Sequence, residues 1–410
     1  GNSGFIVTGA VGLGYVGGLE ALWLPISWFI GDLVYWKIFP AKLNANARKF
    51  SAVTLSEYLS AGLTGVWVKR LSVLMGCVLV LLLIVYTSAQ WLAGRKFLSS
   101  IYEFSDVTAL LFFSGTIIAY SAIGGFRGSI YVDTTQAVIR LIGTVLALGL
   151  AVYMVLENTT DWQSHIAMAG DGFLNPFTMG SLWIYLAFIG GFAAAAIGFG
   201  LGQPQIVSRY FACSSPEEVA QSKWIYIGFL QFTWLSMTLF GVLLRGLMPD
   251  LGDPEEGLGI FFKHHFGAIV AGIIFADVYA TIAATSNSVL VATAQIIKRD
   301  IMSPLFGLDK QKSQTSYFWV LVIGVFSILV SFVSTQSVFS AALGAVSLVG
   351  AAIAAPMIIK TFSFTHNAKS LTATLMVGFT GGLLWQQVGL NQIFNEAGIG
   401  ILCGLVTNYL

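Results

Sequence analysis

One carboxylate and three hydroxyls recur at helical spacing inside a stretch that is otherwise apolar: Asp277, Thr281, Thr285 and Ser288. Steps of four, four and three residues stack side chains on one face of an α-helix. Spanning a bilayer requires no such face, since every polar side chain opposes insertion. Serine and threonine in this setting commonly bond back to the preceding turn or hold neighbouring helices together. The carboxylate changes the balance, because an acid at membrane depth is expensive and usually functional. The stripe is therefore read as the wall of an ion or substrate site. Its hydroxyls suit a hard cation. Asp277 lies outward of Thr285 by about 12 Å of helix rise and is a candidate to hold a cation, a proton or a substrate amine.

Asp133 and Arg140 are seven residues apart and share a second helical face. A buried arginine needs a partner, so an Asp133–Arg140 structural pair is the expected arrangement. Anchoring of a substrate carboxylate by Arg140 is the sharper alternative. Asp133 alone reads as a solvated residue favoured by a helix start, and Asp32 is expected to pair with Lys37. No catalytic constellation accompanies these groups: the chain has no Walker loop, no G-x-S-x-G elbow and no His/Cys cluster. It is not expected to be an enzyme or an ATP-driven pump. The three cysteines (Cys77, Cys213, Cys403) show no metal or disulfide spacing and are expected to be free thiols. All four histidines fall in expected loops, which argues against an intramembrane haem or metal site.

The elements that must position these residues are membrane helices. Apolar residues make up 56% of the 410 and charged residues 10%, against about 25% charged in a soluble domain. Mean hydropathy is +0.82. The net charge of +1 gives no hint of nucleic acid. Spans of about 20 apolar residues are expected at twelve places: 1–18, 19–39, 70–95, 106–123, 131–156, 180–202, 221–247, 266–297, 315–335, 338–361, 371–389 and 393–409. Fifteen of the twenty Lys and Arg, Lys310 and Lys312 among them, fall in loops after even-numbered segments. That asymmetry puts the even loops in the cytoplasm. A multi-pass membrane protein follows; it is expected in the plasma membrane (a bacterial inner membrane), with the lipid bilayer and a small-molecule substrate as expected partners and a monomer plausible. The chain opens at Gly1 without an initiator Met, and its natural start is expected to lie further upstream.

Segments one and six are dense in glycine: Gly1, Gly4, Gly9, Gly12, Gly14, Gly17 and Gly18, then Gly180, Gly190, Gly191, Gly198, Gly200 and Gly202, followed by Pro204. Close helix packing through small residues is one reading. The other rests on their separation by one five-helix unit, an odd length that inverts the second copy. Interrupted helices at matching places of two inverted halves point to a transporter's central site, and this is the reading taken.

An ordered series of motifs resembles the sodium/solute symporter family, most of all its sodium/proline symporter branch. The series runs from Asn2-Ser3-Gly4-Phe5 through Ala52 to Tyr58, Gly124-Gly125-Phe126, Asp133-Thr134-Thr135-Gln136 and Gly202-Gln203-Pro204, to Thr285–Ser288 and Arg299-Asp300. The resemblance implies an all-α leucine-transporter-like fold with two inverted five-helix repeats, residues 1–157 and 158–361, and two peripheral helices in 362–410. It implies Na+ as coupling ion, with no organic cofactor. The implied sodium ligands are Asn2, Thr281, Ala284 and Thr285, with Asp133 on the inward sodium path or in a second site beside Thr285. Ala284 departs from the family pattern, which has serine there, and removes one oxygen. Ser288 points the same way a turn further in. Implied substrate contacts are Ser3, Phe5 and Gly9, Tyr86 and Gln90, and Phe199 and Gln203, with Asp277 and Arg140 as coupling candidates. The expected function is sodium-driven symport of a small organic solute such as an amino acid. Its rivals are proton-coupled or uncoupled transport on the same scaffold, motivated by Ala284 and Asp277, and a transporter-like sensor module of a membrane histidine kinase.

Overall fold

The computed structural model describes residues 2–102, 104–308, 314–333 and 337–409. Gly1, Lys310 and Lys312 lie outside the described residues, as does part of the expected 315–335 span. Among the described residues every regular element is a helix. The apolar composition dictates this, because a helix pairs all its backbone groups internally where no water can.

Among the described residues seven helical ranges are long and apolar enough to cross a membrane, and two of them are composite. Phe5–Ile38 holds two of the expected spans, a first helix Ala10–Gly17 and a second Trp23–Ile38. Between them Gly18 adopts φ +61°, and a Cβ there would lie 2.0 Å from the Phe173 carbonyl oxygen, so only glycine allows this turn. Asp106–Glu157 is recorded as one helix of 52 residues, about 78 Å if straight and far beyond a hydrocarbon core of about 30 Å. Gly125, with φ 54° and ψ −157°, breaks it into the expected fourth and fifth spans. The remaining single ranges are Val66–Tyr102, Leu182–Gly202, Pro216–Leu247, Ala268–Phe306 and Val338–Thr361. Helices Gln314–Val333, Ala368–Gln387 and Glu396–Tyr409 occupy the other three expected places. All twelve segments therefore exist as helices.

The 338–361 helix is the most buried of the seven ranges. It packs against the 66–102, 182–202, 368–387 and 396–409 helices. The 268–296 helix lies along 106–157 and 66–102, and the 10–17 helix lies against 223–247. Glycines permit these approaches. A Cβ at Gly198 would sit 2.9 Å from the Gly350 Cα, and one at Gly200 would sit 2.4 Å from the Tyr35 ring.

The expectation for segment six needs correction. Helix Leu182–Gly202 runs unbroken through Gly190, Gly191, Gly198 and Gly200, and Gly191, Gly198 and Gly200 serve close packing. The interruption falls at Gln203 (φ −84°, ψ 109°), where Pro204 disfavours a helical conformation of the preceding residue before helix Pro204–Ala212 begins. In segment one the irregularity lies at the start. Asn2 and Ser3 are non-helical, and a π-helical turn Phe5–Gly9 follows.

Candidate functional site

The stripe on the 268–296 helix faces the second half of the 106–157 helix in antiparallel register. Asp277 meets Arg140, Thr281 meets Gln136, and Ser288 meets Ser129 and Asp133. As one number climbs by eleven the other falls by eleven. Each layer has its own chemistry.

In the outer layer Arg140 and Asp277 form an ion pair at 2.5 Å with both side chains 1% exposed. The Thr281 hydroxyl donates to Asp277 at 3.3 Å and accepts from Gln136 Nε2 at 2.8 Å. This corrects the expected Asp133–Arg140 pair. A seven-residue spacing puts both on one face, but it cannot show which carboxylate of a different helix stands opposite. Asp32 is also corrected: it is buried with Oδ2 unpartnered while Lys37 is exposed, so their pair is not formed.

At the middle layer the Thr285 hydroxyl donates to the Asn2 carbonyl oxygen. The non-helical start of segment one thus meets the centre of the 268–296 helix through two oxygens, the donor type a hard cation prefers. Asn2 is held by Thr233, which donates to its Oδ1 at 3.1 Å. Ala284 is buried and presents a methyl where a second hydroxyl would stand. Thr281 turns its hydroxyl to Asp277 and Gln136, and so bonds away from the Thr285–Asn2 contact.

The inner layer is a four-residue network. Arg209, on the helix after the Gln203 break, donates through Nη2 to Asp133, to Ser129 at 2.9 Å and to Ser288 at 3.0 Å. Ser288 also donates to Asp133 at 3.2 Å. Asp133 therefore sits one layer inward of Thr285 with Arg209 across it. Sequence reasoning gave Arg209 no role at the site, because no spacing argument connects it to a helix 76 residues away.

Of the seven expected substrate contacts, Ser3, Phe5, Tyr86 and Phe199 line one cavity of about 40 Å³ beside segment one. Trp28 and Trp234 complete its aromatic wall. Phe5 meets Trp234 edge-on with centroids 5.1 Å apart, and Trp28 meets both Trp234 and Phe199 at 5.5 Å. The other three stand behind the wall. Gly9 backs onto Phe339, Gln90 Oε1 accepts the Gly4 N–H at 2.9 Å, and Gln203 accepts from Gln205 at 2.9 Å. Sequence reasoning missed the two tryptophans. Their signal was position, since both lie well inside a span and not at the membrane–water belt where Trp gathers. The lining carries no charged side chain. Its unspent polar atoms are donors: the indole N–H of Trp28 and of Trp234 are buried without acceptors, and so is the nearby Asn2 amide nitrogen.

The model of the sodium:solute symporter family matches residues 2–378. The sodium/proline symporter of Haemophilus influenzae is 24% identical over 94% of this chain and 78% of its own length. The high-affinity proline transporter PutP of Bacillus subtilis is 23% identical over 99% and 86%. The sodium/pantothenate symporter of Escherichia coli is 27% identical over 95% and 80%. Among solved structures, a substrate-bound, outward-open Na+-coupled sialic acid symporter superposes with TM-score 0.73 at 20% identity, over 99% of this chain and 87% of that one. MhsT in complex with L-phenylalanine gives 0.53 at 16%, over 99% and 98%. These likenesses show the leucine-transporter-like fold.

Proposed function

The chain belongs to the sodium:solute symporter family, and from that premise we propose that it couples Na+ entry to import of a small organic acid or amino acid, proline first among candidates. The chain is a multi-pass transporter of the plasma membrane and not an enzyme. The observation that carries the sodium assignment is the Thr285 hydroxyl on the Asn2 carbonyl. Two elements from the two halves of the chain meet there through oxygens at mid-membrane, where an ion bound to both would tie their movements together. Thr281 and Ala284 then contribute backbone alone, and Asp133 takes the ion on its way inward once Arg209 lets go.

The central cavity supports a carboxylate-bearing substrate. Its buried atoms without partners are the indole N–H donors of Trp28 and Trp234, and a buried donor without an acceptor costs about 1–3 kcal/mol. A substrate carboxylate would satisfy the indole N–H groups while the aromatic rings take its apolar body. At about 40 Å³ the cavity has room for a few waters, so loading requires the Phe5–Trp234–Trp28 cluster to part. Coupling to protons through Asp277 gains little support, because Arg140 and Thr281 already engage both of its oxygens.

The test is Thr285→Ala in purified protein, with uptake titrated against sodium. The half-saturating sodium concentration should rise about tenfold, as expected for loss of one ligand in a site with few side-chain oxygens. Substrate affinity at saturating sodium should change far less. An unmoved sodium half-saturation would refute the assignment.

A further inference from the structure

Between the ends of the first two helices, the start of the 338–361 helix and the turn before the 396–409 helix lies a cavity of about 710 Å³. Each contributing segment falls in or beside a loop that the charge asymmetry places outside. The cavity is therefore an external vestibule. It adjoins the central cavity, since Leu343 lines both and Phe339 of its wall stacks on Phe5 at 5.1 Å.

Its charge is of one sign. Glu20 and Glu396 line it, and no Lys or Arg does. Glu396 is 1% exposed, and its Oε2 has no hydrogen-bond partner. The residue before it holds the turn in place: Asn395 donates to Ser347 at 3.0 Å and accepts the Ala397 N–H at 2.9 Å. Gln386 reaches over Gly344, where a Cβ would come within 2.8 Å of its amide nitrogen. Phe188 and Phe339 supply aromatic wall. A start-of-helix position favours a carboxylate electrostatically, but does not explain an orphaned oxygen in a cavity wall. Burying a charge without a partner is costly, so the carboxylate is built for a cation that arrives. A bare ion needs neither this volume nor phenylalanine walls, whereas an ammonium group on an apolar body uses both.

We propose that the vestibule is a loading site for organic ammonium groups, with Glu396 as the docking carboxylate and Glu20 as a supporting charge. An arriving amine pairs with Glu396 and is held above Phe339 until the aromatic cluster parts. The site rests on the symporter reading for what it feeds, not for what it binds. Together with a donor-lined central cavity, it selects molecules that carry both an amine and a carboxylate.

The experiment uses the full chain in lipid nanodiscs without sodium. Saturation-transfer NMR compares pyrrolidinium with cyclopentanol, a neutral molecule of the same ring size. Pyrrolidinium should bind and cyclopentanol should not. Glu396→Gln should raise the pyrrolidinium Kd about tenfold, since a charge-assisted bond is lost. Glu20→Gln should raise it by less than about fivefold, as for a half-buried charge that solvent still screens. If Glu396→Gln misfolds, Glu396→Asp, which withdraws the carboxylate by one methylene, should also weaken binding. Equal binding of the two probes, or a Kd unmoved by Glu396→Gln in a protein made less thermostable, leaves only a helix-start role and overturns the proposal. Displacement of pyrrolidinium by sodium at concentrations below pyrrolidinium's own Kd assigns an inorganic cation and overturns it as well. Because no transport is measured, a failure of the symporter reading would not imitate either result.

Discussion

Replacing Asp277 by Asn tests whether the outer layer of the stripe is a staple between helices or part of the coupling path. Asp277 and Arg140 are each 1% exposed and 2.5 Å apart. The guanidinium Nε and Nη2 have no other partner. The Asn variant leaves a buried arginine with no counter-charge, which costs about 3–5 kcal/mol, whereas replacing both members by apolar residues is often neutral. The folded-to-unfolded ratio should thus fall by roughly two to four orders of magnitude in Asp277→Asn and recover most of the way in Asp277→Leu/Arg140→Met. Unfolding in graded denaturing detergent, followed by tryptophan fluorescence, reads both. Uptake per folded molecule, measured across pH, should superimpose for wild type and Asp277→Asn, because Arg140 and Thr281 engage both Asp277 oxygens in a structural contact. Two results would refute this reasoning. One is a single variant as stable as wild type. The other is a double variant as unstable as the sum of its parts.

Restoring the missing hydroxyl with Ala284→Ser should lower the half-saturating sodium concentration severalfold, read by sodium titration of uptake; a flat response would move the sodium site elsewhere. Arg209→Lys keeps the charge but cannot serve Asp133, Ser129 and Ser288 at once, so a cysteine placed at Ser288 should react faster with cytoplasmic thiol reagents in that background than in wild type. Gly198→Val drives a side chain into the Gly350 backbone, 2.9 Å from its Cβ, and should cost about 1–3 kcal/mol in the same detergent unfolding assay. Gly125→Ala meets open space but must hold φ 54°; a cost of about 1–3 kcal/mol without loss of expression would show that the break there is conformational and not packed.

The helices were legible because each span satisfies its own backbone, so composition and length mark it without reference to any neighbour. The Asp277-to-Ser288 stripe was legible for the same reason: its spacing is a property of one helix. What could not be read was which residues oppose it. The register that sets Arg140 against Asp277 and Ser129 against Ser288 depends on how two distant segments slide past each other, and the expected Asp133–Arg140 pair failed on that point. The break in segment six was misplaced because glycine marks two things, a free backbone and a close approach. Gly198 and Gly200 serve the second, and the interruption belongs to Gln203–Pro204. Four of the residues expected at the substrate site, Ser3, Phe5, Tyr86 and Phe199, line one cavity, and they came from the family motif rather than from any local pattern. Trp28 and Trp234 escaped because aromatic residues are common in membrane helices, and nothing local distinguishes a lining ring from a packed one.

The most direct measurement is uptake by the purified chain in proteoliposomes, with labelled proline and pantothenate among a panel of amino acids and organic acids. An inward sodium gradient is compared with equal sodium on both sides and with a proton gradient in potassium. At least one carboxylate-bearing solute should accumulate transiently above its external concentration, and only when sodium runs inward. Accumulation that persists when potassium replaces sodium and follows the proton gradient would contradict sodium-coupled symport.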